Sequence, residues 1–316
     1  MTIRKVAVVG CGTMGRGITE ACALAGVDVT AIKVTPGKSA EPAQQIRDAL
    51  SRRVKRGKLT STQAEEALAR ISFSDDIRRV CEAEIVIESV VEEFHVKREV
   101  LLSAEKWMHV GALLATNTSS LRIDNLAADL VRPSHFMGLH FFNPVPVMEL
   151  VEVAGTPATD LRVLERGSGF CRQIGKTPVT VAASPGYAVN RLLTPYLLHA
   201  IDSLERGVAN ASAIDNAMKL GCGHPMGPLA LADLIGLDVL QAMAIALAGE
   251  FGEDRYNRPR ILNELVAANE LGRKTGRGIY DYRNADPVVS EFLVSALARA
   301  ALERENARLA PRRAAP

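Results

Sequence analysis

The feature that most constrains this chain is a glycine loop near its start. Val6-Ala7-Val8-Val9 is a short apolar run, and Gly10-Cys11-Gly12-Thr13-Met14-Gly15 follows it directly. A helical pattern covers residues 13–25 and meets Gly26, a natural C-terminal stop. The apolar run suits a strand buried on both faces, and residues 27–34 alternate as a second strand. Strand, helix and strand within the first 34 residues predict a right-handed βαβ unit. In that setting G-x-G-x-x-G predicts a pyrophosphate site for a dinucleotide. Gly10 permits the tight turn, Gly12 lets phosphate approach the backbone, and Gly15 (with Gly17) lets helix and strand pack closely. The N–H groups at the helix start, around Thr13 and Met14, then face the phosphates.

Such a second strand ordinarily ends, about twenty residues on, in an acidic side chain that bonds the adenosine ribose. Here the position falls on Lys33. Residues 31–38 contain no Asp or Glu, and Lys38 is the other charge. An ammonium cannot accept those hydrogen bonds, but it can attract a 2′-phosphate. NAD and NADP both stay open as the cofactor.

Further along, residues 41–56 and 62–70 read as helices, the second with Thr62 and Glu65 at capping-box spacing. Strands are expected at 85–87, 113–116, 136–140, 150–153 and 179–181, with helices at 93–108 and 160–175. After Ser184-Pro185-Gly186 the pattern turns helical, at 189–207, 212–220 and 228–248, with no strand between. The expected architecture is α/β. A Rossmann-type doubly wound domain spans residues 1–184, and an all-helical substrate and dimerisation domain spans 185–316. Residues 287–307 are amphipathic, without an assigned role, and residues 310–316 are expected to be disordered.

Bulk properties narrow the class. The 316 residues are 47% hydrophobic and 23% charged, as in ordinary globular domains. A net charge of +2 does not call for a nucleic-acid partner. No apolar run reaches the length of a membrane span, and the first residues lack the apolar core of a signal peptide. The cysteines are Cys11, Cys22, Cys81, Cys171 and Cys222, odd in number and without a C-x-x-C pair. Buried free thiols in the cytoplasm, with no metal site, are therefore expected.

The chemistry is carried by two later segments. Asn117-Thr118-Ser119-Ser120 follows a strand, where ligands of open parallel sheets bind. His140 and Glu152 each lie six residues from Pro146. Strands folding back about that proline make them cross-strand neighbours. A carboxylate on one ring nitrogen fixes the tautomer and leaves the other nitrogen as a base, which alcohol oxidation requires.

Together, GCGTMG, NTSSL, GLHFFNPVPVMELVEV, PGYAVNRLL, GHPMGPLALADLIGLD and RKTGRGIYDY resemble the L-3-hydroxyacyl-CoA dehydrogenase family over residues 4–282. The resemblance implies reversible oxidation of a short-chain L-3-hydroxyacyl-CoA at C3. His140 would be the base, Glu152 its partner, and Ser119 and Asn190 the residues that hold substrate. It places Asn143 beside the nicotinamide, with Glu92, Lys97 and Lys274 as cofactor contacts and Asn117 in the same site. The family's ribose-binding aspartate falls on Lys33, a departure, and Ile279 replaces a usual aromatic.

The run from Ser51 to Lys58 holds five cations. The resemblance assigns this region to coenzyme A, making Arg52, Lys55 and Arg56 candidates for its phosphates; a solvated helix face is the alternative. The His224-Pro225-Met226-Gly227-Pro228 segment reads as a helix-start turn, with Cys222 beside it as packing. The second domain resembles the family's dimerisation domain, so a homodimer is expected. Two other functions stay open: a dehydrogenase of hydroxyacyl groups on an acyl carrier protein, and a catalytically silent cofactor-binding protein.

Overall fold

The computed structural model describes residues 2–34, 40–252 and 254–309, apart from the side chains of residues 40 and 304–309. Lys38 and the expected disorder of 310–316 lie outside the described residues. The chain forms two compact units, Met1–Ala188 and Val189–Pro316. The expected boundary was at 184. Residues 185–188 stay with the first unit, where Tyr187 is buried and Ala188 bonds Glu152.

The first unit contains β1 (Lys5–Val9), α1 (Thr13–Leu24), β2 (Asp28–Ile32), α2 (Ala40–Lys55), α3 (Ser61–Ala69) and β3 (Ile71–Ser74). It continues with β4 (Ile85–Glu88), α4 (Phe94–Trp107), β5 (Leu113–Thr116), α5 (Ile123–Ala127), β6 (Phe136–Phe141), β7 (Leu150–Gly155), α6 (Leu161–Gln173) and β8 (Thr177–Ala182). One eight-stranded sheet has the order β3-β2-β1-β4-β5-β6-β7-β8. The first six are parallel, and β7 turns back antiparallel to β6 with β8 following its direction.

The apolar runs are explained by burial on both faces. Val6, Val8, Ile85, Ile87 and Leu113 pack on Ile18, Cys22 and Phe170, while Ala7, Val9, Val86 and Leu114 pack on Leu101, Ala104 and Leu126. Adjacent residues thus serve opposite layers, as the strand period demands. The chain reverses direction in the sheet order at β1/β4, the switch point where open α/β sheets bind ligands.

Several expectations are corrected. The edge strand β3 was not anticipated; its side chains are only partly covered, so no apolar run marks it. The capping box lies two residues earlier, between Thr60 and Gln63. Only Cys22 and Cys171 are buried; Cys11 is half-buried, and Cys81 and Cys222 are exposed. Cys222 therefore has no packing role of the kind expected.

The second unit contains α7 (Val189–Glu205), α8 (Ala211–Cys222), α9 (Pro228–Ile235), α10 (Leu237–Phe251), α11 (Arg260–Ala267), β9 (Tyr280–Asp281), β10 (Val288–Val289) and α12 (Glu291–Leu309). It is not purely helical, because β9 and β10 pair antiparallel. The single helix expected over 228–248 is two, α9 and α10, bent by 92° at Gly236. Gly236 has φ +106°, which glycine adopts without a Cβ penalty. Among the described residues no single helix is long and apolar enough to cross a membrane.

Two buried carboxylates organise this unit. Asp215 accepts from the N–H groups of Leu229 and Ala230 and from the Tyr280 hydroxyl. Asp233 accepts from the N–H groups of Ile279 and Tyr280 and from the Tyr282 hydroxyl. The amphipathic tail becomes α12, which buries Leu293, Ala296 and Ala300 and pairs Arg299 with Glu264 and Glu303 with Arg260.

Candidate active site

The glycine loop joins β1 to α1 at the switch point. Gly10 has φ +112°, and a Cβ there would stand 2.3 Å from the Ser89 carbonyl oxygen. A Cβ on Gly15 would stand 1.9 Å from the Gly10 carbonyl oxygen. Gly12, by contrast, faces open space, and no side chain caps α1. A helix start with unfilled N–H donors and room beside it fits a pyrophosphate. Thr13 and Met14 occupy its first turn.

At the end of β2, the Lys33 N–H bonds the Ser74 carbonyl while the Gly10 N–H bonds that of Ile32. Lys33 therefore stands just past β2, beside the loop. The Arg16 guanidinium donates to the Cys11 carbonyl at 2.9 Å. Burial raises the Cys11 thiol pKa, and Arg16 and Lys33 pull it partly back. Both cations thus lie within electrostatic reach of the loop.

The antiparallel turn-back of β7 on β6 sets His140 opposite Glu152. His140 Nδ1 lies 2.8 Å from Glu152 Oε2, and both side chains are buried. Glu152 Oε1 accepts the Ala188 N–H at 3.0 Å. With Glu152 as a carboxylate, Nδ1 donates this hydrogen bond, and in the neutral imidazole Nε2 then carries the lone pair. The connection between the strands runs through the cis Asn143–Pro144 bond, with Asn143 exposed.

The β4 and β5 ends form a second polar cluster. Glu92 Oε1 accepts from the hydroxyls of Thr118, Ser119 and Ser120 and from the N–H groups of Ser119 and Ser120. Its other oxygen lies 3.3 Å from Lys97 Nζ. Burial alone would raise this carboxyl; the Lys97 ammonium and the Thr118, Ser120 and Ser119 donors outweigh it and hold Glu92 below the usual carboxylate range.

Lys97 is only 1% exposed and also bonds Glu88 Oε1 at 2.9 Å. Its ammonium is thus shared between two carboxylates, Glu88 and Glu92, and stands away from the surface. Asn117 is likewise tied into the sheet, its carbonyl oxygen accepting the Phe141 N–H at 2.8 Å.

In the second unit, Asn190 is half-buried in the first turn of α7, and Lys274 is paired with Asp238 at 2.6 Å. Arg52, Lys55 and Arg56 are exposed on and just after α2 in the first unit, whereas Arg53 is paired with Glu20. Motif reading missed Glu88, which also accepts from the Thr116 hydroxyl at 2.6 Å and the Val90 N–H at 2.6 Å. An acid closing the otherwise apolar run Ile85-Val86-Ile87 was the available signal.

Comparison with known proteins identifies the family. The family description "3-hydroxyacyl-CoA dehydrogenase, NAD binding domain" matches residues 5–184, and "3-hydroxyacyl-CoA dehydrogenase, C-terminal domain" matches 186–282. The 3-hydroxybutyryl-CoA dehydrogenase of Clostridioides difficile is 41% identical over 278 residues, 88% of this chain and 99% of that protein. The rat mitochondrial hydroxyacyl-coenzyme A dehydrogenase is 40% identical, covering 89% of this chain and 92% of its own. The crystal structure of (S)-3-hydroxybutyryl-CoA dehydrogenase from Ralstonia eutropha superposes with a TM-score of 0.83 at 41% identity, over 90% of this chain and 100% of that one. The chain belongs to the 3-hydroxyacyl-CoA dehydrogenase family.

Proposed function

We propose that the protein interconverts an L-3-hydroxyacyl thioester and its 3-keto form, with coenzyme A as the carrier and short acyl chains as substrates. The observation that carries this reading is the buried His140–Glu152 pair at 2.8 Å. Oxidation removes a proton from the 3-hydroxyl as hydride leaves C3. A bound nicotinamide supplies the hydride acceptor. His140 Nε2 takes the proton, and the Glu152 carboxylate stabilises the imidazolium that forms. In reduction the same imidazolium returns the proton to the 3-keto oxygen. Ser119 and Asn190 hold the substrate oxygens.

Replacing His140 with Ala should lower kcat by about a thousandfold, within the range for a lost general base, while dinucleotide affinity stays within about twofold. Acetoacetyl-CoA reduction and equilibrium dinucleotide titration measure the two. A His140→Ala enzyme with near-normal kcat refutes the base. Dinucleotide binding without turnover on any substrate supports the silent protein instead.

Lys33 and Arg16 support acceptance of a 2′-phosphate, so use of NADP beside NAD is part of the proposal. NADPH should support turnover beside NADH in the wild type, and Lys33→Asp should shift the ratio by about tenfold or more toward NADH. A strong NADH preference that the substitution leaves unchanged refutes this. The exposed Arg52, Lys55 and Arg56 are assigned to the coenzyme A phosphates. Poor turnover of free coenzyme A esters beside good turnover of a carrier-protein-bound substrate reassigns them to that carrier.

A homodimer through the second unit is part of the proposal. Leu192, Leu220, Leu234, Val239 and Ile245 are all exposed there. Sedimentation at micromolar concentration should give twice the chain mass, and a single-chain mass overturns it.

A further inference from the structure

The turn at residues 184–188 closes the first unit, and the proton transfer described above makes no use of its one aromatic side chain. The turn meets the site at three points. The Gly186 N–H donates to the Ser119 carbonyl at 3.1 Å. The Ala188 N–H donates to Glu152 Oε1 at 3.0 Å. Between them, the Tyr187 ring lies against the His140 imidazole, with centroids 5.4 Å apart and planes inclined by 33°. Phe142 meets the same imidazole at 4.5 Å.

The backbone is held in an uncommon form to do this. Gly186 has φ +78° and Tyr187 has φ +43°. A bulky residue in the left-handed region persists only where its surroundings over-determine it. Here the Tyr187 N–H is tied to the Ser184 carbonyl at 2.9 Å, and the ring is buried. Its hydroxyl is buried with no hydrogen-bond partner among the described residues. An unmatched buried hydroxyl opposes folding, so the aromatic ring is the useful part of the side chain. Space for it comes from Gly138, two residues before His140 on β6. A Cβ at Gly138 would stand 2.7 Å from the Tyr187 hydroxyl oxygen but 3.5 Å from the ring carbon that bears it.

We propose that Tyr187 is a positioning residue for His140. Its ring fixes the imidazole plane so that Nε2 faces the 3-hydroxyl, and it keeps water from the His140–Glu152 hydrogen bond. This rests on the base role proposed for His140. A catalytic group must be held close to its productive geometry by neighbours whose own rotamers are locked. One carboxylate bond fixes a single atom of the ring, and the ring contact fixes its plane.

The test uses the full chain with two readouts: steady-state acetoacetyl-CoA reduction, and solvent exchange of the low-field His140 Nδ1 proton by NMR, assigned by its loss in His140→Asn. Tyr187→Leu should lower kcat by about tenfold, leave both KM values within about twofold, and speed the exchange by about tenfold. Tyr187→Phe should match the wild type in both. Gly138→Ala should reproduce the defect by pushing on the hydroxyl, and Gly138→Ala combined with Tyr187→Phe should restore activity, because ordinary contact remains once the oxygen is gone. Wild-type kcat and exchange in Tyr187→Leu overturn the proposal. So does a Tyr187→Phe variant as impaired as Tyr187→Leu, which would assign the effect to the hydroxyl. If Tyr187→Leu fails to fold, Gly138→Ala and its rescue decide. If the wild type turns over no thioester, the base reading fails on its own, and the exchange measurement still decides for Tyr187.

Discussion

Two carboxylates are shifted in opposite directions by their surroundings. Glu92 is held below the usual carboxylate range: burial opposes this, but the Lys97 ammonium and the Thr118, Ser120 and Ser119 donors win. Asp233 is raised to about 6, because burial outweighs the Ile279 and Tyr280 N–H groups and the Tyr282 hydroxyl, and Asp215 adds repulsion. The signs of the resulting pH effects differ. Glu92, with its folded pKa depressed, stabilises the fold above the ordinary glutamate pKa, and that contribution is lost on acidification. Asp233, with its folded pKa raised, stabilises below the ordinary aspartate pKa, and that contribution is lost as pH rises through about 6. Urea unfolding between about pH 4 and pH 7 should therefore contain a loss on the order of 2 kcal/mol that disappears in Asp233→Asn. An identical pH dependence in the two proteins overturns the assignment. The extra hydrogen bonds lost in the variant lower its stability at every pH and do not mimic this slope. Glu92→Gln should instead flatten the acid limb.

The elements divide into those that sequence pattern announces and those that it does not. The β1–α1–β2 unit was legible because doubly buried strands leave apolar runs and the loop between them needs glycine. The pairing of His140 with Glu152 was legible because two strands of equal reach folded about Pro146, and the observed register places them opposite each other. The edge strand β3 was hidden by its partial exposure. The short β9–β10 pair offers too few residues for a period to show. The break at Gly236 is a matter of backbone dihedral, and a glycine within an apolar helical pattern does not declare its φ. The role of the 184–188 turn was equally hidden, since Pro185 and Gly186 signal a turn but not what it touches. Gly236→Ala tests the break. At φ +106° a Cβ is strained and would meet Asp238 Oδ1 at 3.0 Å. A loss of about 1–3 kcal/mol in urea unfolding is expected. A change under about 0.5 kcal/mol would mean the bend tolerates a side chain.

On the scale of the whole molecule, the family match ends at residue 282, whereas the folded chain continues through α12. That helix is integral to the second unit: Leu293, Ala296 and Ala300 are buried, and Ser290 donates to the Gly278 carbonyl at 2.7 Å. Removing residues 284–316 should lower Tm by on the order of 5 °C, read by calorimetry, because apolar surface beneath the helix becomes exposed. An unchanged Tm would make α12 an ornament. The first unit also distributes its tasks across the sheet. Lys33, just past β2, stands on one side of the glycine loop, and His140 and Glu152 sit on β6 and β7, beyond β4 and β5. The two regions share no strand. A substitution at Lys33 therefore leaves the strands that carry His140 and Glu152 untouched. The thirteen residues from His140 to Glu152 form one contiguous hairpin, so they can be exchanged as a single block without altering a residue around the glycine loop.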